Sequence, residues 1–488
     1  MKMNPIRIAI LAGILTLALM AGACSSKSGN GDGDKRPNVL LIAVDDLNDW
    51  IGCLGGHPQA CTPNLDRLAS MGMLFANAHC QSPVCNPSRA SLMTSLYPST
   101  TGIYFLTPDI ADSPVAVKNK LMPQRFLDAG YYVTGAGKLF HNAPGINEKY
   151  VPNYGGRFGD FGPIPEKKLS NFPGHPLWDW GVYPERDEDM PDYKIASWAE
   201  KRLAEKHDSA LWLGVGFFRP HVPQYAPQKW FDLYPMETLQ LPETITGDLD
   251  DISQYGIDIT RLKHVAPTFE WVTAHHEWKP LVQSYLACVS FVDHQIGRVL
   301  DALENSQYAG DTYIVLFSDH GFHQGEKERF AKRSLWEDGA RVPMIIAGPG
   351  IPRGTVCHQP VQLLDIYPTL LDLTGLEADS MHEGRSLSPL LEDPEAEWPY
   401  MARTSFGPGN YAIISNGYRY IQYNDGSEEF YDHARDPHEW YNVVGEPEYA
   451  ELIEKHREQV PLERHKILGE GSTGHLSYAA TEAKRKNK

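Results

Sequence analysis

A chain of 488 residues is long enough for one large core and a smaller satellite unit. Hydrophobic residues at 42% and charged residues at 22% exclude a disordered or fibrous protein. With 62 Asp and Glu against 44 Lys and Arg, the formal charge is −18, which argues against nucleic acid as a partner and requires a local basic pocket for any polyanionic ligand.

The N-terminus is predicted to lie outside the fold. Lys2 and Arg7 give a basic start, Ile8 to Met20 is an apolar run too short to span a bilayer comfortably, and Ala21-Gly22-Ala23-Cys24 follows. Small residues directly before a Cys read as a bacterial lipoprotein signal peptide over 1–24, with a lipid anchor at Cys24; the alternative is an ordinary signal peptide cut near the same place. Residues 25–36 form a polar, Gly-rich tether. This predicts an exported protein, in the periplasm or on the outer membrane or cell surface. Export permits disulfides, and Cys53 with Cys61 is a candidate pair.

From 37 to 375, apolar runs alternate with amphipathic stretches. Val39–Val44, Tyr131–Gly135, Leu211–Phe217, Tyr313–Phe317 and Val342–Ala347 read as strands covered on both faces. Thr62-Pro63 reads as an N-cap and first helical residue, Leu65, Leu68 and Ala69 share a face, and Gly72 ends that helix. Pro87 at a first helical position, with Ala90, Met93 and Thr94 beyond, predicts a second helix with Cys85 at its N-terminus. Residues 140–190, rich in Gly, Pro and aromatics, are expected as loops over one end of the sheet. Tyr285, Cys288, Val289, Val292, Ile296, Val299, Leu300 and Leu303 form a long helical stripe, and Cys288 on it reads as core. This alternation predicts an α/β domain with a large, mostly parallel or mixed central sheet flanked by helices. Over 376–465 the short runs Tyr411–Ile414, Tyr418–Gln422 and Glu429–Tyr431 predict a smaller antiparallel-sheet subdomain closed by a helix, and 466–488 a frayed tail.

Polar residues fall at the ends of these strands. Asp45 and Asp46 end the first, Lys138 and His141 follow the second, His221 follows the third, and Asp319-His320 ends the fourth. Open α/β sheets bind ligands at the carboxyl ends of their strands. Three gathered carboxylates repel unless a cation neutralises them, and oxygen ligands favour Ca²⁺ or Mg²⁺; His320 could add a nitrogen ligand or a donor. Either acidic pair by itself equally suits a cap or turn. Cys85 at a helix N-terminus sits where an anion is favoured, so its thiol could be a nucleophile or, alternatively, a structural Cys paired with Cys80.

Cys85-Asn86-Pro87-Ser88-Arg89, followed by Ala90 to Ser95 and Thr101-Gly102, resembles the signature C-x-P-S-R of the type I, formylglycine-dependent sulfatases. The likeness extends through Asn38–Asp46, Thr134–His141, Gly216–Pro223, Asp319-His320-Gly321, Ala331-Lys332, Val342-Pro343 and Phe430 to Pro437. Within that family, part of the alkaline phosphatase superfamily, Gly137–His141, Arg219–His221 and His320 look most like the iduronate 2-sulfatase branch.

The resemblance implies that a maturase oxidises Cys85 to formylglycine, whose hydrate attacks sulfur and then releases sulfate. It implies one Ca²⁺ held by Asp45, Asp46, Cys85, Asp319 and His320. Arg89 would steady the modified side chain, and Lys138, His221 and Lys332 would clamp the sulfate oxygens. His221 or Lys332 would be the acid for the departing oxygen and His141 the base. Without the resemblance, Lys332 reads as one solvated charge among Lys327, Glu328, Arg329 and Arg333, and His323 as pocket wall or surface. The expected substrate is a sulfated carbohydrate, attacked by an exo 2-O-sulfatase at a uronic acid, with Arg219, Arg329 and Arg333 as candidates for its carboxylate. The alternatives are a phosphodiester or phosphonate hydrolase of the same superfamily and an unmatured glycan-binding lipoprotein.

Overall fold

The structure is a computed structural model that describes residues 36–141, 145–261, 265–462, 467–468 and 473–486. The expected signal peptide, Cys24 and all of the tether but Arg36 lie outside these residues. Among the described residues no helix is long and apolar enough to cross a membrane.

The central sheet has seven strands: β1 (Asn38–Asp45), β2 (Met73–Phe75), β3 (Tyr132–Gly137), β4 (Leu211–Pro220), β5 (Thr312–Ser318), β6 (Met344–Ala347) and β7 (Thr355–Cys357). Their spatial order is β7-β2-β6-β5-β1-β4-β3. β1 lies near the middle, parallel to both β4 and β5. It is buried along its whole length, which is why its sequence is one apolar run and not an alternation. β6 runs antiparallel to β5 and β2, so the sheet is mixed.

Register carries the site residues to one edge. Val44 pairs with Ser318 and Asp45 with Pro220, so Asp46, Asp319 and His221 leave their strands side by side. Gly137 pairs with Gly216, bringing Lys138 to the same edge. Both glycines are required there. Gly137 has φ +76, and a Cβ on Gly216 would meet the Lys138 carbonyl at 2.2 Å.

Helix α1 (Pro63–Met71) buries Leu65, Leu68 and Ala69, as the periodicity predicts. Its cap differs from expectation. Thr62 Oγ1 accepts from the N–H of Gly52 at 2.8 Å. The free N–H groups of Asn64 and Leu65 are instead taken by Asp293, at 3.1 and 2.8 Å, from the long helix over Trp278–Glu304. Helix α2 (Cys85–Thr94) begins at Cys85, so Pro87 is its third residue. Helices α3 (Pro191–Ala204) and α4 (Trp278–Glu304) pack on one face of the sheet. Cys53 and Cys61 are not joined. All described thiols are free, and the backbone N–H groups of these two residues are tied to different partners, Asp66 and Tyr234.

The small antiparallel sheet comprises β8 (Ala402–Ser405), β9 (Tyr411–Ser415), β10 (Tyr418–Gln422) and β11 (Glu428–Asp432). One face carries Ala412, Ile414, Ile421 and Tyr431 against Val84, Tyr104, Leu335 and Trp336. The other is closed by α5 (Ala450–Arg457) through Ile453. The C-terminal stretch, expected as a frayed tail, contains a helix, α6 (Thr473–Lys486). Its Tyr478 packs on Phe105, and Glu482 accepts from the Tyr255 hydroxyl at 2.6 Å.

Arg419 of β10 is fully buried and joins this sheet to residues 335–337 and to Glu439. It pairs with Glu337 and with Glu439 (2.6 Å), and it donates to the Leu335 carbonyl at 2.9 Å. Arg419→Met removes the main countercharge of buried Glu439 and half-buried Glu337, leaving them only His433 and Arg341, so it is expected to lower unfolding free energy by about 3–5 kcal/mol in denaturant titration. A loss within about 1 kcal/mol would show that the carboxylates reach water instead.

Candidate active site

The edge where β1, β3, β4 and β5 end gathers every residue predicted for catalysis and metal binding. Asp46 is the pivot. Its backbone is left-handed (φ 63), uncommon for a residue with a side chain. The Asp46 N–H donates to Asp319 Oδ1 at 3.2 Å, and its carbonyl accepts from the Tyr285 hydroxyl at 2.8 Å. This turn lets two consecutive side chains face one pocket, where a straight strand would send them to opposite faces.

Asp45 Oδ2 accepts from Lys138 Nζ at 2.5 Å, and its Oδ1 lies 3.6 Å from Arg89. Burial alone would raise this carboxyl, but Lys138, with His221 and Arg89, holds it well below the ordinary range. Asp46 Oδ1 accepts from Lys332 Nζ at 2.6 Å. Asp319 Oδ2 accepts from Arg89 Nε at 2.7 Å, while burial pushes its carboxyl up to about 6 against that pairing. Arg89 also donates to the Lys138 carbonyl, so one guanidinium braces two strand ends. His320 Nδ1 faces the Gly321 carbonyl at 3.0 Å, which aims Nε2 at Asp46 (3.4 Å), Asp319 (3.5 Å) and Cys85 (3.2 Å).

Cys85 Sγ lies 3.0 Å from Lys332 Nζ. Burial would push this thiol up, but Lys138, Lys332 and His320 together hold it well below its ordinary value. Cys288, buried without such neighbours, is pushed up to about 12. His141 completes the ring around the sulfur, and its Nδ1 has no hydrogen-bond partner. His221 Nδ1 faces the Val222 carbonyl at 2.6 Å, leaving Nε2 at 3.9 Å from Asp46 Oδ2.

The donor set fits a hard divalent cation. Asp45 Oδ1 and Asp46 Oδ2 are buried oxygens without a hydrogen-bond partner. Ligand atoms of Asp45, Cys85, Asp319 and His320 lie within 4.8 Å of one another, as do those of Asp45, Asp46, Cys85 and His221. His221 thus comes close enough to count among the donors, a proximity its sequence position does not reveal.

Above this floor is a cavity of about 210 Å³ lined by Asp46, Cys85, His141, His221, Lys332 and Arg333, with walls from Phe161, His175, Trp178 and Phe322. The aromatic and imidazole walls at 161–178 come from the loop stretch expected over the sheet end. The cationic candidates separate sharply. Arg219 does not reach the cavity: it is buried and donates to the carbonyls of Tyr225 (3.0 Å) and Phe161 (3.0 Å), bracing the turn that holds His221. Arg329 donates to the carbonyls of Thr260 (2.6 Å) and Lys332 (2.8 Å), positioning Lys332. Lys332 itself is no solvated charge, since Asp46 and Cys85 hold it in the pocket. Arg333 is buried in the cavity wall, and its Nη1 has no hydrogen-bond partner. His323 is fully buried and does not line this cavity.

The family model described as Sulfatase matches residues 37–376, and one described as N-sulphoglucosamine sulphohydrolase, C-terminal, matches 325–466. The chain is 46% identical to a sulfatase of Formosa agariphila over 442 residues, 87% of this chain and 86% of that protein. It is 31% identical to iduronate 2-sulfatase of Homo sapiens, covering 74% of this chain and 73% of that one. In fold it resembles a phosphonate monoester hydrolase from Silicibacter pomeroyi, with a TM-score of 0.71 at 22% identity over 87% of this chain and 94% of that one.

Proposed function

Because the chain belongs to the sulfatase family of sulfuric ester hydrolases, we propose that it is an exo 2-O-sulfatase acting on a uronic acid of a sulfated carbohydrate. The observation that carries the chemistry is the buried Cys85, ringed by Lys332, His320 and His141 above three carboxylates. On this reading a formylglycine-generating maturase oxidises Cys85. The chain is exported to the periplasm or cell surface and anchored through Cys24.

Asp45, Asp46, Asp319, His320 and the modified Cys85 would hold one Ca²⁺, which supplies electron withdrawal from the sulfate oxygens and the modified side chain. The oxidised side chain, held at the head of α2 beside Lys332 and His320, would supply the hydroxyl nucleophile of an aldehyde hydrate. The chain's own residues do the rest. Lys138 and Lys332 would present ammonium groups to sulfate oxygens, Lys138 from a fully buried position and Lys332 from the cavity wall. His221, its Nδ1–H donated to the Val222 carbonyl, would give a proton from Nε2 to the departing sugar oxygen as the doubly protonated imidazolium, with Lys332 as the other candidate acid. His141, beside Cys85 and with Nδ1 unpartnered, would serve as the base toward that side chain.

Arg333 supports the substrate class. A buried guanidinium with a free Nη1 in the cavity wall calls for an anion beyond the sulfate, and a uronate carboxylate supplies one. The relative acting on iduronate points the same way. The test compares 2-O-, 4-O- and 6-O-sulfated monosaccharides. The 2-O-sulfated uronate is expected to win, and Arg333→Gln to lower its kcat/KM about 10- to 100-fold, roughly 1.4–2.8 kcal/mol, while a neutral sulfated sugar changes little. Preference for a 6-O-sulfated hexosamine by more than about tenfold would remove the uronate claim and leave the sulfatase. Faster turnover of a matched phosphate diester would move the chain to the phosphoester branch.

A further inference from the structure

We infer that His323, Glu326 and Asp338 form a second cation site, for a divalent transition-metal ion, that pins the loop carrying Lys332 and Arg333. The inference does not rest on the catalytic reading. Ligand atoms of the three side chains lie within 4.8 Å of one another. His323 is 0% exposed. Its Nε2 lies 2.6 Å from Ser334 Oγ and the ring lies against the Glu326 backbone, while Nδ1 makes no well-formed hydrogen bond and faces Asp338 Oδ2 at 3.7 Å, too far for one. A buried imidazole nitrogen left without a partner is costly. A ring that donates from Nε2 to Ser334 turns a lone pair toward two carboxylates, an arrangement that a metal ion between them satisfies.

The nearby cations are engaged elsewhere. Lys327 pairs with Asp248 at 2.7 Å and also donates to the Glu439 carbonyl; Arg341 pairs with Asp49 at 3.3 Å and Glu337 at 3.7 Å. Among the described residues no Lys or Arg forms an ion pair with Glu326 or Asp338. Both acids line a cavity of about 400 Å³ that gives an ion a way in. One imidazole nitrogen with two carboxylates suits zinc or manganese better than calcium, which prefers oxygen alone. His323 and Asp338 bracket the segment that holds Lys332 and Arg333, so an ion between them would close that loop at its two ends.

The full-length protein, stripped with chelator and resaturated with Ca²⁺, is titrated with Zn²⁺ by calorimetry, with metal content read by mass spectrometry. One zinc per chain is expected. Glu326→Gln and Asp338→Asn, isosteric changes at half-buried positions, should each weaken it at least about tenfold without changing bound calcium. Co²⁺ in place of zinc should show a nitrogen-ligated visible spectrum that both variants lose. Absence of stoichiometric zinc, zinc bound equally tightly by both variants, or a second calcium filling the site would overturn the assignment. Asp45→Asn separates this from the catalytic reading: it should lose calcium and keep zinc.

Discussion

Cys85→Ala is expected to abolish turnover, lowering kcat/KM by at least about 10⁴-fold, or roughly 5.5 kcal/mol of transition-state stabilisation. The side chain sits at the first residue of α2, 3.0 Å from Lys332 Nζ and 3.2 Å from His320 Nε2, so alanine leaves those cations intact with nothing to act on. The fold should tolerate the change, because Lys332 keeps Asp46 and His320 keeps the Gly321 carbonyl. Cys288→Ala is the control. Its sulfur packs in a core cluster and donates weakly to the Tyr225 carbonyl, so it should cost about 1–2 kcal/mol of stability and leave kcat/KM alone. Peptide mass spectrometry of the active enzyme should find the thiol lost at position 85 and kept at 80, 288 and 357. A fully unmodified Cys85 in fully active protein would sink the formylglycine mechanism.

Asp45→Asn and Asp319→Asn should each cost at least about 10³-fold in kcat/KM and release calcium. Both substitutions also remove the countercharge of a buried cation. Asp319 accepts from Arg89 and from the Asp46 N–H, so Asn at 319 leaves a buried guanidinium short of a countercharge; a stability loss of about 3–5 kcal/mol should accompany the loss of activity. Asp45 is flanked by Lys138 and Arg89, and Asn there strands Lys138 in the same manner. Asp46→Asn leaves the Arg89 network whole, because Asp46 pairs with Lys332 and lies near the histidines. If its activity also falls with little change in melting temperature, the loss belongs to the ion and not to folding. Chelation should remove activity, and calcium should restore it. Full activity after exhaustive stripping would end the metal assignment.

The strands at the sheet centre were legible because burial on both faces writes itself as a contiguous apolar run, as in Asn38–Asp45 and Thr312–Ser318. The chemistry was legible because it sits where those runs end, and because Cys85 to Arg89 is a local motif whose residues share one helical turn. Roles for Lys138, His141, His221 and Lys332 came from resemblance alone, and the structure brings all four to the sulfur or its carboxylates.

What composition and periodicity could not decide was the fate of individual charges. Arg219, Arg329 and Arg333 look alike in sequence, yet the first braces a turn, the second holds the Lys332 carbonyl, and only the third lines the cavity. Lys332 reads as solvated until Asp46, 286 positions earlier, is placed beside it. Likewise the cap of α1 comes from Asp293, and the free thiols of Cys53 and Cys61 follow from partners each backbone finds elsewhere. Apolar pattern is a property of a segment and its own period, so the sequence determined five of the seven central strands, helices α1, α2 and α4 and the edge where function lies, while the three-residue strands β2 and β7 and helix α3 went unread. Burial of a charge depends on which distant partner neutralises it, and that was decided only when the register of β1 with β4 and β5 brought those partners together.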